Sequence, residues 1–308
     1  MKKIFVLLTV LITSLNLYAQ IEFSGFMDFI SYTDLEIPAS EFSYGQFEID
    51  MAMELTENMY AEAAIAYNAD EEKMALGMGF IEYYFYNTNW LPSLSLGQFD
   101  VPFGRDYLVL PSTDRPLVTV PLLNRKTIDS WNDSGLNVNG ALSLLEYSVF
   151  YVNGQGDCFS LGGRANMTLF KTMNFGFSYA GDIGKADIKS DIYGLDFAME
   201  ILSSEVIVEY QKASNLLDGI VQKAEHSGYY VQIKTDFKPF TCLPLFTLAR
   251  FGAWADESDL GSDTANEIVF GAGWNLSENA SLRCEFLQEK KNDVIAVNTL
   301  IVQTVISF

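Results

Sequence analysis

Apolar and polar residues alternate along most of the chain. From Gln46 to Leu55, one face carries Phe47, Ile49, Met51, Met53 and Leu55, and the other carries Gln46, Glu48, Asp50, Ala52 and Glu54. Period two is that of a strand lying between oil and water. The pattern returns in Tyr229–Phe237, where Tyr230, Gln232, Lys234 and Asp236 oppose the apolar set. It returns again in Asp191–Ile201, where Gly194, Asp196, Ala198 and Glu200 do so. Between turn signals it predicts sixteen strands, over about 21–33, 42–55, 59–69, 74–86, 94–102, 134–142, 145–154, 160–169, 173–183, 188–202, 204–212, 228–237, 246–254, 266–275, 280–288 and 299–308. Most suit the roughly 9–11 residues that a tilted strand needs to cross hydrocarbon. The expected fold is all-β: a transmembrane antiparallel up-and-down barrel of 16 strands. A soluble sandwich would alternate too, with its apolar face inside, so the two ends of the chain and the loops must decide.

Both ends favour the barrel. Lys2 and Lys3 precede an apolar run from Ile4 to Ile12 and the small-residue end Leu17-Tyr18-Ala19, the organisation of a cleaved secretory signal over 1–19, with residues 20–308 as the barrel. No Cys follows the run to take a lipid anchor. The last strand ends Thr304-Val305-Ile306-Ser307-Phe308, which resembles the terminal signal by which bacterial outer-membrane barrels are recognised for insertion. With both termini in the periplasm, even-numbered connections should be short, and Thr56-Glu57-Asn58, Leu144-Leu145, Phe170-Lys171-Thr172, Ser203-Ser204 and Ser277-Glu278-Asn279 are. Asn87–Ser93 and Lys238–Pro244 are longer. Gln211–Ser227 and Ala255–Ala265 fall on the outer side as longer loops.

Composition narrows the partners. Of 308 residues, 49% are hydrophobic, 14% aromatic and 19% charged, with 40 Asp+Glu against 19 Lys+Arg. A formal charge of −21 supplies no basic surface for a nucleic-acid backbone. After the signal no apolar run is long enough for a helical span. Cys158, Cys242 and Cys284 are odd in number and far apart, so no disulfide framework organises the chain. They are expected outside, in a periplasmic turn and facing lipid, respectively.

The longest irregular segment, 103–133, is the third outer loop, and connections of that length are usually functional. It is preceded by Leu96-Gly97-Gln98-Phe99-Asp100-Val101-Pro102-Phe103-Gly104-Arg105 and followed by Ser134-Gly135-Leu136-Asn137-Val138-Asn139-Gly140. Gly97, Gln98, Phe99, Pro102, Phe103 and Gly104, with the Gly-Leu strand after the loop, resemble the phosphate-selective porin O and P family of the outer-membrane porin superfamily. The resemblance is sharp over this segment and elsewhere is only a barrel pattern. It implies a bacterial outer-membrane location, a homotrimer, contact with outer-membrane lipid, and passive diffusion of ions and small hydrophilic solutes. It also implies a constriction built by the loop folding into the lumen. Pro102 has no amide to continue a ladder, and Gly104 allows a sharp turn off the wall.

If Phe47 and Ile49 face lipid, the expected lumen acids are Glu48, Asp50, Glu54, Glu62, Glu82, Asp100, Asp196, Glu200, Glu205, Glu209, Asp236 and Glu285. The lumen bases are Arg164, Lys234, Arg250 and Arg283. The excess of carboxylates predicts a mild cation preference. The loop carries Arg105, Asp106, Asp114, Arg115, Arg125, Lys126 and Asp129 as candidate constriction residues, followed by Asp133. Its bases are expected either to make a positive throat facing the acidic wall or, with Arg105 and Asp106 or Asp114 and Arg115 paired locally or elsewhere, merely to stiffen the loop. Anion or phosphate selectivity and a secreted β-sandwich binding protein are the alternative readings.

No enzyme, cofactor or metal site is expected. His226, the only histidine, falls in an expected outer loop as a solvated residue, and Ser227 beside it points the other way on an extended chain. Asp256, Glu257, Asp259, Asp263 and Glu267 have oxygen ligands at spacings like those of a calcium loop. Leu260, however, stands where a ligand is needed and the flanks read as strands, so a solvated acidic loop is the expectation.

Overall fold

The computed structural model describes residues 21–308 apart from 37–38, 69–72, 86–92, 110, 129, 155–157, 185–188, 216–223, 259–260 and 293. The expected signal at 1–19 and the candidate Asp129 lie outside the described residues. Sixteen strands form: β1 Ile21–Asp34, β2 Ala39–Thr56, β3 Met59–Asn68, β4 Lys73–Tyr84, β5 Ser93–Asp100, β6 Asn132–Leu142, β7 Leu145–Asn153, β8 Cys158–Leu169, β9 Met173–Gly184, β10 Asp191–Ile201, β11 Ser204–Ser214, β12 Ala224–Asp236, β13 Leu245–Ser258, β14 Gly261–Ser277, β15 Ala280–Lys291 and β16 Val294–Ser307. Each pairs antiparallel with the next, and β1 pairs with β16, so the sheet closes into a barrel without an edge. The sandwich alternative is thereby overturned. At the seam, Gly25 and Phe308 exchange backbone hydrogen bonds of 3.0 Å. The Phe308 ring fills the space that a Cβ on Gly25 would need.

Short turns close the periplasmic side, using left-handed residues such as Ser143, Phe170, Lys171 and Leu202, whose backbone twist matches that of a hairpin. The longer link after β12 contains a helical turn, α1 Lys238–Thr241, ended by left-handed Cys242. The outer side departs from expectation. Residues 255–258 and 261–265 are strand rather than loop: they continue β13 and β14, with Ala255 opposite Thr264 and Asp256 opposite Asp263. Likewise β11 runs on to Ser214 and β12 begins at Ala224, so His226 sits on a strand. The polar tip sequences hid these extensions, because a strand above the membrane no longer alternates oil with water.

On β8 to β15 the inward Arg164, Asp196, Glu209, Arg250, Arg283 and Glu285 are buried, whereas outward positions such as Phe177, Leu195, Ile233, Phe251 and Phe270 stay exposed and apolar. That apolar outer belt matches a lipid-facing surface. The interior is filled by the segment between β5 and β6. Its Leu122 and Leu123, in α2 Leu122–Lys126, pack on Ala198, Ile207, Tyr230 and Trp254. Leu117 packs on Leu248, Val269 and Leu287, and Val118 on Ile30 and Ile301. Each such side chain contributes about 1.5–3 kcal/mol when buried, so the loop is held inside the barrel by its own small core.

Candidate pore constriction

The loop leaves the wall where the Gly97–Gly104 segment directs it. Phe99, Val101 and Phe103 are buried against Phe150, Val152, Ala180, Ile192 and Ala213. The Val101 amide donates to the Trp131 carbonyl at 2.8 Å, joining the two ends of the loop. Pro102 has no donor to lose, and Gly104 turns at φ +65° while its amide donates to Ser178 Oγ at 3.0 Å. A Cβ at Gly104 would lie 2.5 Å from Glu209 Oε1. Gly104→Ala is therefore expected to cost about 1–2 kcal/mol in backbone strain alone, with displacement of Glu209 added. A lowered thermal midpoint in detergent checks it; an unchanged midpoint would show that this turn does not hold the loop.

Beyond the turn, one side of the loop is tied to the wall. Arg105 Nη2 meets Glu205 at 3.0 Å, and its backbone amide donates to Glu209 Oε1 at 3.2 Å. Gln211 Nε2 and Tyr230 Oη also donate to Glu209. Glu285 accepts from the Val118 and Thr119 amides at 2.8 and 3.2 Å and from the Thr119 hydroxyl. Glu267 accepts from the Leu122 amide and from Arg250 Nε, both at 2.9 Å, and Arg125 bridges Glu267 and Glu289. The wall bases take loop carbonyls in turn: Arg250 holds Thr119, and Arg283 holds Ser112 and Thr113. Arg164 forms a two-pronged pair with Asp196 at 2.5 and 2.9 Å, beneath the Tyr107 ring.

These contacts correct the positive-throat expectation. Arg105 and Arg125 point at wall carboxylates on the far side, and their partners Glu205, Glu267 and Glu289 are not the local Asp106 or Asp114 either. Asp106 begins a 3-10 turn, Asp106–Val109, and its side chain lies outside the described residues. Arg115 Nη2 donates to Gln46 at 3.2 Å and lies near Arg283, whereas Asp114 and Lys126 are exposed. Lys234 stands over Phe246 and pairs with Asp236 at 3.4 Å.

The opposite wall stays open. On β2 to β4 the inward Glu48, Asp50, Glu62 and Glu82 are half-buried rather than covered. Tyr60 donates to Glu62 at 2.7 Å and Tyr84 to Glu82 at 2.8 Å, while Glu48 and Asp50 are partnered with each other. Glu48 lies close enough to Asp50, Glu62 and Asp100 for their charges to interact. Asp100 follows the buried Phe99 at the end of β5, and Asn132 donates to it at 2.8 Å. Glu54 and Glu200 are exposed near strand ends. Below the loop a cavity of about 1230 Å³ is bounded by Asp50, Thr113, Asp114, Asp236 and Arg283.

The sequence reading missed inward acids, among them Asp28, Glu267 and the Arg125 partner Glu289. Asp28, buried on β1, accepts from the Gln46 amide and Gln303. It is flanked by inward Phe26 and Ile30, so the rule of apolar outside fails where the loop packs on the wall. Glu267 read as part of an acidic outer segment and is instead fully buried. His226 also differs from the solvated loop residue expected: it is 3% exposed, stacked on Trp254 with ring centroids 5.6 Å apart, and its Nδ1 lies 3.4 Å from Asp256. Asp263 pairs with Lys291, so the calcium-like segment is dispersed over two strands. Among the described residues no three Asp, Glu, His or Cys side chains group as metal ligands. The cysteines are free, with Cys158 buried and Cys242 and Cys284 exposed.

No family model and no curated protein matches the chain. Solved structures do. The trimer form of OmpT, an outer membrane protein of Vibrio cholerae, aligns with a TM-score of 0.71 at 11% identity over 94% of this chain and 99% of that one. An anion-selective porin from Comamonas acidovorans aligns at 0.71 with 10% identity, over 94% and 100% of the two chains. Salmonella typhi OmpF, in a complex with daunomycin, aligns at 0.70 with 11% identity, over 94% and 97%. The chain therefore has the fold of the outer-membrane porins: a sixteen-stranded barrel matched from one end of the described chain to the other.

Proposed function

We propose that this protein is a bacterial outer-membrane porin, exported by the signal at 1–19 and passing ions and small hydrophilic solutes by diffusion, with a mild preference for cations. One observation carries the selectivity: Arg105 and Arg125 of the loop are neutralised by carboxylates on the β11–β15 side, while Glu48, Asp50, Glu62 and Glu82 face the open lumen without a basic partner among the described residues. The passage runs between the loop and the β2–β4 wall, with Ser112–Arg115 at its narrow edge. A low-dielectric wall concentrates the field of those acids along the path. Assembly as a homotrimer in outer-membrane lipid follows the resemblance stated above and the trimer form of the Vibrio cholerae protein. Transport needs no cofactor and no chemical step.

Anion or phosphate selectivity is the second reading, favoured by Arg115 beside Arg283 at the loop tip and by the anion-selective neighbour. Asp28, Asp114 and Glu285 surround Arg283, which weakens it. The deciding measurement is the zero-current potential in a planar bilayer under a salt gradient, at two ionic strengths. A cation-signed potential that shrinks at high salt supports the proposal. An anion-signed one transfers control to the loop tip, and no conductance ends the porin reading.

A further inference from the structure

A second recess opens at the outer mouth, beside the lumen rather than in it, between the returning arm of the loop and the upper ends of β7 to β10. It holds about 370 Å³. Its floor is apolar: Trp131, Ile128, Ile192 and Ala180, with Trp131 fixed from behind by Phe103 and, edge-on, by Phe150. Its rim carries the carboxylates Asp133, Asp182 and Asp191. An apolar floor with a few convergent polar groups is the usual form of a small-molecule site.

The rim is held in place by neighbours and presents acceptors. Asp182 receives the Ser160 hydroxyl at 2.8 Å and the Ser190 amide at 3.1 Å. Asp191 receives the Ser214 hydroxyl, and Asp133 the Ser134 amide at 2.7 Å. The hydroxyl protons are all directed into the protein, since Ser190 donates to the Asn215 carbonyl and Thr127 to Leu123 or Gln211. Ionised carboxylates only accept and keep further lone pairs, so what remains for a ligand is a ring of acceptors above an apolar surface, with the second Nδ2 proton of Asn132, whose first goes to Asp100, as the side-chain donor left over. No Lys or Arg lines the recess among the described residues, and the three carboxylates do not group as ligands for one metal ion. The matching ligand has an apolar face, several outward donors and no negative charge.

We propose that this recess binds one saccharide ring at the outer mouth and prefers an amino sugar to a neutral hexose, rejecting a uronic acid. The ring's C–H face lies on Trp131 and Ile128. Its hydroxyls donate to the rim, and its ammonium lies among Asp133, Asp182 and Asp191. The inference does not rest on the channel reading.

The test is equilibrium binding of glucosamine, glucose and glucuronate to the detergent-solubilised full chain by saturation-transfer NMR and calorimetry, with bilayer conductance measured on the same preparation. Glucosamine is expected to bind about tenfold more tightly than glucose, with no glucuronate binding, and Asp182→Asn to weaken glucosamine about tenfold, the loss of one charge-assisted contact. If heat-modifiable gel migration shows that Asp182→Asn does not fold, Asp133→Asn serves, with the same expectation. Equal binding of the three sugars overturns the proposal. So does putrescine binding as tightly as glucosamine, because a ring-free diamine needs only the charge. A chain that conducts but binds no sugar overturns this inference alone, and one that binds glucosamine but does not conduct overturns the porin reading alone.

Discussion

Glu48→Lys combined with Asp50→Lys is expected to convert a cation-signed zero-current potential into an anion-signed one. Both carboxylates project from β2 into the open lumen, and nothing basic is bonded to either; the Ser24 hydroxyl, 3.5 Å from Asp50, is neutral. Two lysines add about two positive charges and remove whatever negative charge the carboxylate pair carries. At 4 Å a unit pair interacts by about 1 kcal/mol in water and about 4 kcal/mol at an effective dielectric of 20. Allowing for mobile ions in a wet pore, the potassium-to-chloride permeability ratio should fall about tenfold at low salt. The change should shrink in 1 M salt, where the screening length is about 3 Å. Folding should be unaffected, since neither residue anchors the loop, and heat-modifiable migration checks this. A ratio that stays unchanged while the barrel folds would show that the β2–β4 wall does not border the ion path.

Much of this architecture was legible because a membrane makes the alternation strict. All sixteen strands appear within a few residues of their expected positions, and the face assignments on β2, β10 and β12 hold, with Glu48, Asp196 and Gln232 inward. The departures cluster where lipid or water no longer writes the pattern. Above the membrane, residues 255–258, 261–265 and 224–227 are strands whose sequence looks like loop, because both faces meet polar surroundings there. Inside, Ile30, Leu248 and Val269 face a packed loop rather than water, so the inward side is locally apolar and an acid such as Asp28 is hidden there. The candidate constriction was readable as a segment but not as a contact map. Glu48 and Glu285 look alike in sequence, each an acid between apolar neighbours on a strand. Only the loop's path, set by the turn at Gly104 and the docking of Leu117, Leu122 and Leu123, decides which of them remains in the lumen.

That difference gives the second prediction. Glu285 is fully buried and holds the Val118 amide, the Thr119 amide and the Thr119 hydroxyl at once. Glu285→Ala leaves three donors without their acceptor beside Arg283, which loses a neighbouring negative charge. Breaking a buried charged network of this kind costs about 3–5 kcal/mol. The barrel's own ladder is untouched by the change. The cost therefore falls on docking of the loop around Val118, where Ile30, Ile301 and the Arg250 contacts to Thr119 would be left to hold it. Single-channel conductance should rise and its open-state noise increase as this stretch leaves the wall, with little change in ion selectivity. Glu285→Gln keeps one accepting oxygen and should lie between the two. Glu48→Gln should do the reverse, shifting the zero-current potential while leaving noise at the wild-type level. If Glu285→Ala gives wild-type conductance and noise, the carboxylate does not hold the loop, and the apolar contacts of Leu117, Leu122 and Leu123 must position it unaided.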